Sequence, residues 1–137
     1  MTALAGSQAR LAALSIVVPD YAQGIAFYCT TLGFRLTEDL DQGAKRWVTV
    51  EPPGGGPRIV LARADTPDQR HAIGNQAGGR VWLFLQTDDF DRDHRRMIAA
   101  GVMFEETPRR EPYGKVAVWR DPFGNRWDLI GPPSRQT

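Results

Sequence analysis

The 137-residue chain holds one cysteine, Cys29, and two histidines, His71 and His94. A lone cysteine excludes an intrachain disulfide and a Cys-rich zinc site, and it fits a reducing, cytoplasmic setting. Serine is scarce as well. Ser7 and Ser134 lie near the ends, and Ser15 has no nucleophile motif around it. Excess charge of either sign is missing: 17 Lys and Arg stand against 16 Asp and Glu, with no basic run, so no nucleic-acid partner is expected. No apolar run approaches the roughly 20 residues that cross a bilayer, and residues 1–9 lack the charged start and apolar stretch of a signal peptide. No membrane partner is expected either.

What the chain does have is punctuation. Gly 14 and Pro 10 demand frequent turns, above all at Glu51–Pro57, Gly78–Gly79 and Asp121–Asn125. Two helices are predicted between them. The first runs from Tyr21 to about Leu32, capped by Asp20 with Gln23 three residues on, its apolar face Ile25, Tyr28 and Leu32, and Gly33 as its stop. The second runs from Phe90 to about Ala100, capped by Asp88 or Asp89, with Phe90, Met97 and Ile98 as its face and Gly101 as its stop. Asp20 and Asp89 lie 69 positions apart, and Gly33 and Gly101 lie 68 apart, about half the chain. One unit is therefore used twice. Each helix follows an apolar strand (Leu11–Val18, Arg80–Gln86) and precedes three more. In the first half these are Phe34–Leu40, Arg46–Val50 and Arg58–Arg63; in the second, Val102–Glu105, Lys115–Arg120 and Arg126–Ile130. The pattern is βαβββ repeated. It predicts an α+β domain over 11–131, made of modules 11–63 and 79–131, with 64–78 as a loop or short helix and 1–10 and 132–137 as tails.

Val17-Val18-Pro19-Asp20-Tyr21, Ala26-Phe27-Tyr28, Leu32-Gly33-Phe34 and the closing Asp121-Pro122-Phe123-Gly124-Asn125-Arg126-Trp127-Asp128-Leu129 carry a family likeness. They resemble the glyoxalase/bleomycin-resistance/extradiol-dioxygenase group, the vicinal oxygen chelate superfamily. The resemblance implies two βαβββ modules whose curved sheets enclose a common cleft, open strand edges covered in a homodimer, and activities from lyase and isomerase to dioxygenase and drug sequestration. Metal-dependent members place His, Glu or Gln on the first and last strands of each module. Here those places hold Ala13, the ligand-free run Arg58–Arg63, Trp82 and Asp128. One donor does not make a site, so no metal and no cofactor are expected. His94, on the second helix beside Phe90, reads as a structural residue, and Cys29 as a buried or half-buried thiol.

Strand alternation splits Val81–Gln86 into an aliphatic face (Val81, Leu83, Leu85) and an aromatic face with a polar end (Trp82, Phe84, Gln86). The second suits a cleft. On the last strand Arg126 and Asp128 share one side and are placed to form an ion pair. Tyr113, in the turn Glu111–Gly114, sits where it reaches the cleft mouth. Trp47 and Trp119 read as pocket walls or as dimer-facing core. The expectation is a small-molecule-binding protein taking an aromatic or largely apolar ligand, with Trp82, Phe84, Gln86, Tyr113 and Arg126 as binding residues. In a metal-independent lyase or isomerase, Asp128 is the acid/base, its pKa raised by desolvation. A pure drug- or metabolite-sequestering protein is the alternative, and a metal-dependent glyoxalase or dioxygenase is disfavoured by the missing ligands.

Overall fold

The computed structural model describes residues 2–132. Residues 2–12 are exposed, and the sequence-predicted C-terminal tail lies outside the described residues beyond Pro132. Strand β1 (Ala13–Val18) leads through Asp20 into helix α1 (Tyr21–Ile25), where the Asp20 carboxylate accepts the Gln23 amide at 2.7 Å. The helix continues as a π-helical segment, Ala26–Thr31, and Gly33, with φ of 91°, turns the chain out of it. Strands β2 (Arg35–Asp41), β3 (Arg46–Glu51) and β4 (Arg58–Arg63) complete a sheet of order β1-β4-β3-β2, with β1 parallel to β4. The connector forms a short helix, α2 (Pro67–Ala72), capped by Thr66.

The second unit repeats the plan with β5 (Val81–Gln86), α3 (Phe90–Ala99), β6 (Met103–Phe104), β7 (Arg109–Glu111), β8 (Gly114–Arg120) and β9 (Arg126–Gly131). Its order is β5-β9-β8-β6, with β7 also on β8. Asp89 supplies the α3 cap, accepting the Arg92 amide at 3.1 Å. The strand expected at Val102–Glu105 is thus shortened to Met103–Phe104, and a further strand, β7, follows it after a break. Its cause is local: the Glu106 carboxylate takes the Val118 amide at 2.8 Å, a donor that a continuous strand partner would occupy. Among the described residues no helix is long and apolar enough to cross a membrane.

A single core joins both units. Ile16, Val18, Val48, Val50, Ile59 and Leu61 from the first sheet meet Ala117, Trp119, Trp127 and Leu129 from the second. Helix α1 and its extension lie between. Tyr28 is fully buried, its ring 5.9 Å from Trp127, and Phe27 packs on Trp119. Trp119, fully buried and stacked on Trp127 at 4.9 Å, is core. On α3 the apolar face is Phe90 and Met97; Ile98, one position further round, is 52% exposed and leaves it. His94 sits between the Phe90 and Phe104 rings, and burial, then Lys115, lowers its pKa. Burial raises the half-buried Cys29 thiol.

Because both sheets turn one face to this core, their opposite faces point away from each other within one chain. Both β1 and β5 end their sheets as open edges. Part of the β1 edge is covered by Gln76, whose amide accepts the Val17 N–H at 2.8 Å and donates to the Ser15 carbonyl at 3.2 Å.

Candidate functional site

Register places the residues of the second sheet's outer face. Phe84 stands opposite Asp128 and Gln86 opposite Ile130, while Val118 flanks Asp128 from β8. Phe84 is 63% exposed, whereas Asp128 beside it is only 5% exposed. Asp128 Oδ1 is buried without a hydrogen-bond partner among the described residues. Desolvation pushes its carboxyl above the usual range; Arg109 pulls it down and Glu106 up, with smaller effects from Arg126 and Glu111. An aromatic surface beside a buried carboxylate with a free acceptor can stack a ring and hold its polar substituent.

The pair expected between Arg126 and Asp128 is not formed. Arg126 gives Nε and NH2 to Glu105, the latter at 2.8 Å, and NH1 to the Gly79 carbonyl at 3.0 Å. Glu105 presents both oxygens to the guanidinium edge, the bidentate geometry that guanidinium and carboxylate favour. Trp82 falls at an irregularity between Val81 and Leu83 and is half-buried at the sheet's end, lining a small cavity with Arg120 and Arg126. Tyr113 is 64% exposed in the turn between β7 and β8. The fold therefore brings Phe84, Gln86 and Asp128 to one surface, Trp82 and Arg126 to its end, and Tyr113 to its rim.

The first sheet's outer face carries a cluster that the sequence reading passed over. Glu38 Oε1 accepts Trp47 Nε1 at 3.1 Å, Thr49 Oγ1 at 3.0 Å and Arg58 NH1 at 2.8 Å. The Trp47 and Thr49 bonds hold its carboxyl below the ordinary range. Trp47 is thus half-buried on this face rather than in the core. The repeat contained the signal: Glu38 and Arg58 recur 68 positions on as Glu106 and Arg126. The same offset sets Val60 against Asp128; on the neighbouring strand Thr49 faces Val60 and Val118 faces Asp128, an offset of 69. A Glu and an Arg are common to both modules; the buried carboxylate belongs to the second alone.

The metal positions implied by the resemblance fall on Ala13, β4, Trp82 and Asp128. They supply one donor, and among the described residues no group of three or more His, Cys, Asp or Glu gathers to hold an ion. These residues do not fit a metal centre. On the side of the common core, an apolar groove of about 1030 Å³ runs between the modules, lined by Leu14, Phe34, Ile59, Leu83, Leu85 and Leu129, with Arg92 and Arg96 at its rim. Because β5 is an edge strand, Phe84 and Gln86 reach this groove as well as the outer face.

Known proteins share this architecture. An uncharacterized protein of Shewanella frigidimarina (strain NCIMB 400) is 52% identical over 120 residues, 85% of this chain and 89% of that one. Among solved structures, UcmS2 superposes with a TM-score of 0.78 at 31% identity, covering 90% of this chain and 98% of that chain. TnmS3, an antibiotic binding protein from Streptomyces sp. CB03234, superposes with a TM-score of 0.73 at 31% identity, covering 90% and 96%. With residues 10–129 matching its family model, the chain belongs to the Glyoxalase/Bleomycin resistance protein/Dioxygenase superfamily.

Proposed function

We propose that the protein binds and sequesters an aromatic or largely apolar small molecule on the outer face of its second sheet. The observation that carries this reading is Phe84, 63% exposed, directly opposite Asp128, whose Oδ1 is buried and has no partner among the described residues. Phe84 stacks the ligand ring, Asp128 and Gln86 meet its polar group, and Tyr113 borders the site. The likeness to TnmS3, an antibiotic binding protein, supports a binding role without requiring a catalytic one. A second copy completes the site. The outer faces of one chain diverge, so the first sheet of a partner, with its Glu38–Trp47–Thr49–Arg58 cluster, is the cover that encloses the ligand. The single free thiol fits a cytoplasmic location.

One observation favours a second reading. The Asp128 carboxylate is buried with Oδ1 unpartnered among the described residues, and desolvation raises its pKa, the direction that favours proton uptake by the general base of a metal-independent lyase or isomerase.

A thermal-shift screen of aromatic compounds identifies the ligand class, since binding raises apparent stability by mass action. For the best hit, Phe84→Ala is expected to weaken affinity about five- to tenfold, the worth of one stacking contact, with the melting temperature of the free protein unchanged. Equal affinity in wild type and variant rejects the outer-face site. Turnover of the hit that disappears in Asp128→Asn with affinity retained would establish the lyase reading; a hit recovered unchanged leaves sequestration.

A further inference from the structure

The small cavity at the end of the second sheet has a composition of its own. It measures about 120 Å³ and lies between the connector loop, the β8–β9 turn and the start of β5. Three arginines line it, Arg80, Arg120 and Arg126, together with Asn75, Asn125 and the Trp82 ring. Two of the three are anchored from behind: both Arg120 and Arg126 bond the same Glu105 carboxylate, and they tie down the Gly124 and Gly79 carbonyls at 3.3 and 3.0 Å. The third, Arg80, is exposed and has no acidic partner among the described residues. Three guanidinium groups therefore share one bonded carboxylate around a cavity of a few atoms' width.

The walls are set by close packing. Gly74, with φ of 72°, lies so near the turn that an added Cβ would come within 2.0 Å of the Phe123 carbonyl oxygen. Loop and turn are thus held against each other, and Asn125, 2% exposed, is fixed by its bonds to Asp121 at 2.7 and 2.8 Å. A rigid pocket with surplus guanidinium charge recognises a compact oxyanion, because planar N–H forks match two oxygens of one group.

We propose that this cavity is an oxyanion pocket for a carboxylate, phosphate or sulfate group, with Arg80 as the arginine that closes on it. The anion has two possible sources: a free inorganic ion, or the acidic end of a ligand on the outer face. Trp82 lies two residues before Phe84 on β5, about 7 Å along the strand, so an aromatic acid of ordinary length spans both. The pocket itself does not depend on the outer-face reading.

The test is titration of the full-length protein with inorganic phosphate at constant ionic strength, followed by the backbone amides of Gly79 and Asn125 in NMR, with chloride as control. Saturable shifts with phosphate but not chloride are expected. Arg80→Ala should weaken phosphate roughly fivefold or more and leave the amide spectrum elsewhere unchanged, while Arg80→Lys keeps part of the affinity. Absence of saturation, equal shifts with chloride, or unchanged affinity in Arg80→Ala would overturn the proposal. Phenyl phosphate then separates the sources. Binding tighter than phosphate, with the surplus lost in Phe84→Ala, assigns the pocket to an outer-face ligand, whereas equal binding assigns it to a free ion. Should phosphate bind while Phe84→Ala changes no ligand, the outer-face site fails and the pocket stands.

Discussion

Asp128 shows how little separates a structural residue from a functional one. The equivalent register position in the first module is Val60, half-buried and uncontroversial; its replacement by a carboxylate puts an ionisable group where 5% of the residue meets solvent. Proteins seldom leave a buried acceptor unpaired, since its desolvation is not offset. The direction of the pKa shift makes this testable. A carboxyl raised above 3.8 on folding holds its proton in the native state at pH values where the unfolded chain has released it. The contribution of Asp128 to native stability is therefore greatest at low pH and is lost as pH rises through that window. Asp128→Asn should remove this dependence, so the variant gains on wild type between acid and neutral pH. Denaturant midpoints at both pH values measure it, and a constant difference would show that Asp128 ionises as freely as it does unfolded.

At the scale of elements, the decisive contact is between α1's extension and the closing turn. Tyr28 Oη donates to Asp121 Oδ2 at 2.5 Å and accepts from Trp127 Nε1 at 3.2 Å. Asp121 also takes the Phe123 and Asn125 amides, at 3.0 and 2.8 Å, and so holds the turn's shape. Burial, and then Asp121 itself, push the tyrosine hydroxyl well above its usual range, which keeps it a proton donor at every physiological pH. The Ala26-Phe27-Tyr28 and Asp121–Asn125 motifs are thus two halves of one latch, 93 residues apart in sequence. Tyr28→Phe leaves Trp127 Nε1 without its buried acceptor and Asp121 without one donor. It should cost about 1–3 kcal/mol of stability, read as a denaturation midpoint, with the ring packing retained. A loss below a few tenths would mean that water replaces the hydroxyl.

The whole molecule presents its apolar surface in places that a single chain does not cover. Phe84, Leu40 and Met103 are 63%, 52% and 71% exposed, and the β1 and β5 edges are open apart from the Gln76 cover. Exposed edges beside apolar side chains favour association, and a two-fold pair closes without leaving new edges. Sedimentation at micromolar concentration should give twice the 15.3 kDa chain mass. A stable 15.3 kDa species that binds ligand as tightly as expected would place the complete site within one chain.

The sequence by itself determined the repeat, the helix caps at Asp20 and Asp89, and the alternation that sets Phe84, Gln86 and Asp128 on one face. These are local matters: spacing, capping chemistry and a period of two are written into neighbouring residues. The sequence also contained, unread, the recurrence of Glu38 and Arg58 as Glu106 and Arg126. Tertiary structure decided the partners. Arg126 turns from Asp128 to Glu105 because the pairing of β6 with β8 brings the Glu105 carboxylate, just past β6, to its side. Trp82 leaves Phe84 for an arginine-lined pocket because of one irregularity in β5. Trp119 goes to the core and Trp47 to an outer face, a choice set by which side of each strand meets α1. Contacts between residues far apart in the chain depend on how the sheets stack, and no spacing along one strand encodes that.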